Sequence, residues 1–459
     1  MNEIKKLIKS TGIYFLGTIG TKLLSFLLLP LYTAYIAPEA YGRYDLNINY
    51  ATLFASFFFL DIWTGIMKFF FEQESDREKQ NVVCSGTMIF LGSSVLYLAA
   101  MILFGIWNGM EYLPGVIAYG FFMVLQSLYG YLARAYGHNA LFATSGIVAT
   151  LVNALLNVFL IVVVWMDYRA LYISYAGGIL VQCVMLERRV TLLRAFRGHC
   201  MTKEMIRQLF RFSLPLCVNS LCYWLLTGYN RIILTNRLGE TANGYYAIAA
   251  KFGGTLLIVS SCFSMAWQEL AYGKYSRDQD TGRFYEVATE NCIQALLYGF
   301  CGLIPAISVV FPFLVDASYE GARNLVPLSM AATLAGILYT FLGNIISTYK
   351  RNDLMFVSTL AACVVNIVSM QVFVGVLGIQ AANLSLLLGY LVSDWMRMRT
   401  IRREVVYHPG WRYCFFLLPL AVISVMIYLA GGLWMNLLML AVAGICTLHF
   451  VLKFVSIHR

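Results

Sequence analysis

Charge is what this sequence has least of. Lys, Arg, Asp and Glu make up 12% of its 459 residues, about half of the roughly 25% usual in a soluble domain. Hydrophobic residues make up 60%. Single cores stop growing at about 250–300 residues, so no soluble globule of this length hides so much apolar surface. A soluble enzyme and a disordered chain are excluded. The alternating ten-residue segments of a transmembrane barrel are missing as well. No GxxxxGK[ST] phosphate loop, HExxH or CxxC occurs, so the chemistry those motifs support is absent. The 5 histidines are scattered: His138, His199, His408 and His458 stand in loops or the tail, and His449 stands alone in the last apolar run. No cofactor and no metal site is expected. No cysteine falls in an outer loop, which excludes an extracellular disulfide; all but Cys200 lie in apolar runs and read as small packers.

What remains is a polytopic all-α membrane protein. A span needs about 20 mostly apolar residues. About fourteen runs qualify: 11–33, 46–67, 82–106, 113–133, 140–165, 170–187, 212–235, 243–267, 288–311, 325–347, 354–375, 379–396, 413–430 and 433–452. The last two are parted only by Gly431 and Gly432. The first exceeds the apolar core of a signal peptide and carries Lys22 at its centre, so it is expected to stay uncleaved.

Lysine and arginine orient the chain, because cytoplasmic loops are enriched in both. With Lys5, Lys6 and Lys9 placed inside, the outer loops hold only Arg43, Arg169, Arg237 and Arg323. Lys22, Arg231 and Lys251 lie within spans, and every other basic residue falls on the inner side. The formal net charge of +10 therefore reports topology and attraction to an anionic inner leaflet, and it is not a nucleic-acid footprint. Both termini are expected in the cytoplasm.

The organisation is twofold. A basic linker, 191–211, divides an N-lobe at 1–190 from a C-lobe at 212–400, and a hairpin with its tail follows at 401–459. The stretch IAPEAYGRY (36–44) matches LGETANGYY (238–246): Ala40, Gly42 and Tyr44 fall on Ala242, Gly244 and Tyr246 at an offset of 202 residues. Each motif ends one span and begins the next. The glycine suits a tight turn, and the tyrosine suits the membrane interface. Internal repeats of this kind are a transporter signature.

A charge near the bilayer centre costs about 2.5–3.5 kcal/mol on insertion scales, so each one needs a reason. Lys22, Arg231 and Lys251 together would make a cationic cavity for an anionic headgroup, with snorkelling or ion pairing as the structural alternative. Asp61 is placed on one helical face with Asn47, Tyr50 and Phe54. It reads as an ion or proton site, or as a partner of Lys22. Thr150, Asn153 and Asn157 share a face of the fifth span; Asn219, Tyr223 and Asn230 share one in the seventh; Asn344 and Asn366 sit mid-span. Helix-to-helix hydrogen bonding is the first reading of these amides, and lining of a polar cavity is the other. Glu187, Glu269, Glu290 and Asp394 stand at inner helix ends and read as interfacial.

The stretches GTIGTKLLSFLLLPLYTAYIAPEAYGRYDL (17–46) and YNRIILTNRLGETANGYYAIAAKF (229–252) resemble the polysaccharide or O-antigen flippases of the multidrug/oligosaccharidyl-lipid/polysaccharide exporter superfamily. The resemblance implies about fourteen transmembrane helices, with two six-helix lobes packed as a V and two extra C-terminal helices. It implies a bacterial inner-membrane protein that moves an undecaprenyl-diphosphate-linked oligosaccharide outward by alternating access. H+ or Na+ would be the coupling ion, and other polysaccharide-assembly proteins would be the neighbours. The related multidrug exporters often carry an aspartate in the first helix, where this chain has Lys22. The related lipid II flippases carry several arginines in the first helices. An integral-membrane polymerase or acyltransferase would need an outer loop with acids and bases, or an intramembrane histidine with partners; the short outer loops and the lone His449 argue against it.

Overall fold

A computed structural model describes residues 26–192, 201–275, 281–348, 351–404 and 413–457. Every regular element among the described residues is helical. The helices are α1 Leu29–Tyr35, α2 Pro38–Phe59, α3 Ile62–Glu72, α4 Asp76–Trp107, α5 Leu113–Ala135, α6 Asn139–Val158 and α7 Arg169–Val190. They continue with α8 Lys203–Leu238, α9 Glu240–Tyr275, α10 Thr281–Leu314, α11 Val326–Thr348, α12 Asn352–Leu377, α13 Gln380–Glu404, α14 Cys414–Ala430 and α15 Leu433–Ile457. A π-helical turn, Phe159–Val163, extends α6, and a 3-10 stretch, Ala317–Leu325, precedes α11. Among the described residues nine helical segments are long and apolar enough to cross a membrane, and Cys414–Ala430 and Leu433–Leu448 are shorter apolar stretches. The apolar runs read from the sequence fall on these elements. The first is the exception, because most of it, Lys22 included, lies outside the described residues.

Local chemistry sets the ends of the helices. Ser75 and Glu78 form a reciprocal capping box that starts α4, satisfying two N–H groups that a helix start otherwise leaves unpaired. Gly431 closes α14 with φ of 73°, the left-handed conformation that ends many helices. Pro215, Pro305, Pro312 and Pro419 all lie inside helices that continue past them.

The described residues divide into two compact units. One runs to Ile36 and resumes over Arg43–Gly228; the other comprises Ala37–Gly42 and the chain from Tyr229 on. The division cuts α8 at Gly228. On the first side of the cut, the Trp224 indole donates to the Asn49 carbonyl at 2.9 Å and the Asn49 amide donates to the Gly228 carbonyl at 2.8 Å. In the first unit α7 packs along α5 and α6, and α3 packs along α4 and α5. In the second unit α13 packs along α11 and α12, α9 packs on α11, and α14 and α15 lie against α10. The Ser424 hydroxyl donates to the Cys301 carbonyl at 3.2 Å, fastening α14 to α10.

The repeat glycines do a different job from the one expected. Gly42 and Gly244 lie inside α2 and α9, one turn past the chain reversal. A β-carbon on Gly42 would collide with the Glu240 carbonyl, and one on Gly244 would collide with the Pro38 carbonyl. Pro38 and Glu240 are themselves repeat equivalents, so the two contacts are reciprocal and each repeat start is seated on the other. The Asn243 amide donates to the Gly42 carbonyl at 2.8 Å in the same place. The turns use other residues: Ile36 in extended conformation and Gly239 with φ of 91°. The glycines are needed for close backbone approach.

Outside the helices, Glu111 in the α4–α5 connection pairs with Arg43 and accepts from the Tyr168 hydroxyl at 3.1 Å. The Arg43 guanidinium, then the Tyr168 hydroxyl, hold its carboxyl below the usual carboxylate range. A carboxylate with a lowered folded-state pKa stabilises above its unfolded pKa, and that contribution is lost as pH falls through the lowered value. The pair is exposed, so the effect is small, at most about 1 kcal/mol. Glu111→Gln should therefore melt slightly below wild type at neutral pH, and the gap should close in acid. A gap that persists in strong acid would contradict the ion-pair account.

Candidate transport site

The second span breaks beyond its middle, after Phe59. Leu60 and Asp61 adopt φ of 55° and 54°, left-handed values that non-glycine residues seldom take. The helical face expected to join Asn47, Tyr50 and Phe54 to Asp61 therefore ends at Phe59, and Asp61 stands at the start of α3 instead. A break inside a membrane is tolerated only where protein satisfies the exposed backbone. Here the Cys217 thiol, from α8, lies 3.5 Å from both the Ser56 and the Phe57 carbonyl oxygens. The half-buried Asp61 carboxyl lies beside the Thr64 hydroxyl and the Trp63 indole.

The other expected lining residues of the first unit divide by packing. Asn47 is buried near Tyr172. The Tyr50 ring packs edge-on against Phe104 with centroids 5.0 Å apart, and Phe54 packs on the same ring. Asn157 donates to both the carbonyl and the side-chain oxygen of Asn153 at 2.9 Å, and Asn153 packs against α7 at Gly178. Asn219 and Tyr223 are exposed on α8. Asn230, on the same helical face, is fully buried. The shared stripe ends because α8 leaves the first unit at Gly228 and enters the second.

In the second unit Asn230 and Asn366 meet. The Asn230 amide nitrogen lies 3.1 Å from Asn366 Oδ1, 2.9 Å from the Ala382 carbonyl and 3.1 Å from Ser385 Oγ. Asn366 returns a bond to Asn230 Oδ1 at 3.2 Å. This amide knot ties α8, α12 and α13 together, and both asparagines are fully buried. The next residue, Arg231, is half-buried with its guanidinium 5.4 Å from the centre of the Tyr246 ring. Tyr246 is the repeat tyrosine. It is buried in an apolar cluster with Leu234, Met370 and Val374. Lys251 is half-buried with Nζ 5.7 Å from the centre of the Tyr41 ring. Each cation thus stands over an aromatic face, an arrangement that stabilises a cation removed from water. Asn344 is half-buried on α11.

Two buried ionisable residues correct the reading from sequence. Asp394 is 1% exposed and Arg397 is 2% exposed, so Asp394 is not interfacial. Arg397 is buried because α11 and α12 enclose it. Its Nε donates to Ser358 Oγ at 3.0 Å, its Nη2 to Thr359 Oγ1 at 3.2 Å, and its Nη1 to the Tyr339 carbonyl. The guanidinium lies 3.6 Å over the Tyr339 ring. Gly343 leaves the space, since a β-carbon there would stand 2.6 Å from Nη1. The acid–base spacing of three residues at a span end was the available signal. Of the acids grouped with Asp394, Glu187 accepts from the Tyr129 hydroxyl at 3.1 Å, and the side chain of Glu269 lies outside the described residues. Among the described residues no group of three or more His, Cys, Asp or Glu side chains could hold a metal ion.

The fold matches the lipid II flippase MurJ in an inward closed conformation, with a TM-score of 0.70 at 13% identity over 98% of this chain and 100% of that one. It also matches an inward-facing multidrug resistance MATE family transporter of the MOP superfamily, with a TM-score of 0.64 at 15% identity over 83% of this chain and 96% of that one. At such identities the likeness shows the fold. The sequence profile of the polysaccharide biosynthesis protein family matches residues 7–268, and the chain belongs to that family. No curated protein matches the sequence.

Proposed function

We propose that this protein is a flippase that moves an undecaprenyl-diphosphate-linked oligosaccharide from the inner to the outer leaflet of the bacterial cytoplasmic membrane by alternating access. The observation that carries the proposal is the pair of half-buried cations, Arg231 on α8 and Lys251 on α9, in a fold shared with the flippase and the MATE transporter above. Membership of the polysaccharide biosynthesis family supports a saccharide-bearing cargo. A diphosphate and its sugars cannot enter hydrocarbon unaided, because each desolvated polar group costs several kcal/mol. Lys22, Arg231 and Lys251 replace part of the lost hydration. Arginine grips phosphate bidentately and lysine acts as a point charge. Asp61, at the broken second span, is the candidate site for H+ or Na+ in the first unit.

Both termini lie in the cytoplasm in this reading, and the lobes at 1–190 and 212–400 carry the cycle. Lys22→Ala, Arg231→Gln and Lys251→Gln each remove a charge-assisted contact worth about 1.5–3 kcal/mol. Surface glycan in cells that depend on this protein should fall about tenfold to a hundredfold, with lipid-linked precursor retained inside. Membrane levels of the protein should hold. Normal surface glycan in all three variants would overturn the assignment of the cationic site.

A further inference from the structure

The hydrogen-bond pattern around Arg397 singles out its neighbour. Ser358 Oγ and Thr359 Oγ1 each donate to the Met355 carbonyl at 2.9 Å. Their hydroxyl protons are thereby committed, so both oxygens act as acceptors toward the guanidinium. The Tyr339 hydroxyl, 2.7 Å from Thr359 Oγ1, then donates to it as well. Arg397 is thus held wholly by neutral oxygens and an aromatic face. Asp394, one turn back on the same helix, has no hydrogen-bond partner on either carboxyl oxygen. The carboxyl is almost wholly buried, yet the arginine beside it is bonded elsewhere.

An ionised carboxylate without a donor is among the most costly groups to bury, and such a group takes up a proton instead. A small metal ion is disfavoured at this position by the guanidinium three residues away. Among the described residues, the ionisable groups that face the pair are Tyr339 from α11 and Tyr390 from α13 itself. From α12 come the hydroxyls of Ser358 and Thr359. A guanidinium has five N–H donors, and three are engaged here, so Arg397 keeps N–H groups that could reach Asp394 after a change of rotamer.

We infer that Asp394 is a proton-binding site of the transport cycle. It carries a proton in this conformation and releases it when α13 shifts enough to bring water or Arg397 to the carboxyl. The inference rests on the transport reading above and deepens it, naming the proton as a coupling ion with its site in the second unit. The chemistry is a simple acid dissociation: the O–H bond of the Asp394 carboxyl breaks, its electron pair stays on oxygen, and the proton passes to water. Arg397 is a positioning residue that supplies the alternative partner of the ionised form.

The test uses purified full-length protein in lipid nanodiscs, without cargo. The infrared spectrum should show a protonated-carboxyl C=O band at neutral pH that shifts in deuterium oxide and disappears in Asp394→Asn. Asp61→Asn should leave that band in place. Because asparagine mimics the neutral form, Asp394→Asn should melt at the wild-type temperature. A wild-type spectrum without the band would overturn the inference. So would a melting temperature several degrees below wild type in Asp394→Asn, since that would mark an ionised partner of Arg397. If the asparagine variant does not fold, Asp394→Glu serves: a displaced band supports the site and an unmoved band refutes it. Sodium-dependent stabilisation abolished by Asp394→Asn would assign the site to a metal cation and overturn the proton. In proteoliposomes Asp394→Asn should lose the acceleration by an imposed pH gradient, and a full response would refute the role. Failure of wild type to move any lipid-linked cargo, with the band present, would sink the flippase reading while the proton site stands.

Discussion

Alanine at Gly42 or at Gly244 is expected to cost about 3 kcal/mol, the upper part of the usual overpacking range, and to remove most folded protein from the membrane. The cause is backbone against backbone. The added methyl would collide with the Glu240 carbonyl in the first case and with the Pro38 carbonyl in the second. No rotamer change relieves a clash with a carbonyl, so α2 and α9 must separate. Separation would also break the bond from Asn243 to the Gly42 carbonyl. Because both substitutions widen the same crossing, the double variant should cost less than the sum of the singles. Gly254 is the control on the same helix, α9, since nothing lies within 4 Å of where an added methyl would stand. Gly254→Ala should be neutral or gain about 0.5–1 kcal/mol from restricted backbone freedom. Thermal unfolding in detergent measures all four, and wild-type melting of Gly42→Ala and Gly244→Ala would refute the close crossing.

The second large effect is expected at the amide knot. Asn230→Leu would remove a donor that serves Asn366 Oδ1, the Ala382 carbonyl and Ser385 Oγ. Interhelical hydrogen bonds inside membranes average about 0.6 kcal/mol each, and the two N–H donors and one engaged Oδ1 acceptor of Asn230 allow three, about 2 kcal/mol in all. Removing only one partner also leaves the Asn366 amide buried with its reciprocal acceptor gone. Replacing both, as Asn230→Leu with Asn366→Leu, should recover part of the loss. Melting temperatures of the two singles and the double close the cycle. A double variant as unstable as the sum of the singles would show that the two amides act independently.

The fold was legible because its signal is repeated in every span. Apolar length marks each helix, and the scarcity of charge makes each exception visible. The repeat was legible in Ala40, Gly42 and Tyr44, although the role of the glycine was not. A glycine in a turn and a glycine at a helix crossing look alike in sequence, and only the partner helix tells them apart. Asp61 shows a second limit. Periodicity assumed an unbroken helix, and no proline or glycine announces the break at Leu60 and Asp61. Arg397 shows a third. Counted among basic residues beyond a span end, it looked like a solvated charge, because the enclosing Tyr339, Ser358 and Thr359 come from distant stretches. The amides divided as burial dictates: Asn230 and Asn366 proved to be internal ties, while Asn219 is exposed.

The central claim is translocation, and a leaflet assay tests it most directly. Purified protein is reconstituted with labelled undecaprenyl-diphosphate oligosaccharide, and accessibility of the label from outside is followed with and without an imposed ion gradient. The account predicts protein-dependent exposure of the label, faster under a pH gradient and lost in Lys22→Ala. Label that stays inaccessible, with efflux of organic cations by the same vesicles, would contradict the account and make the protein a drug exporter.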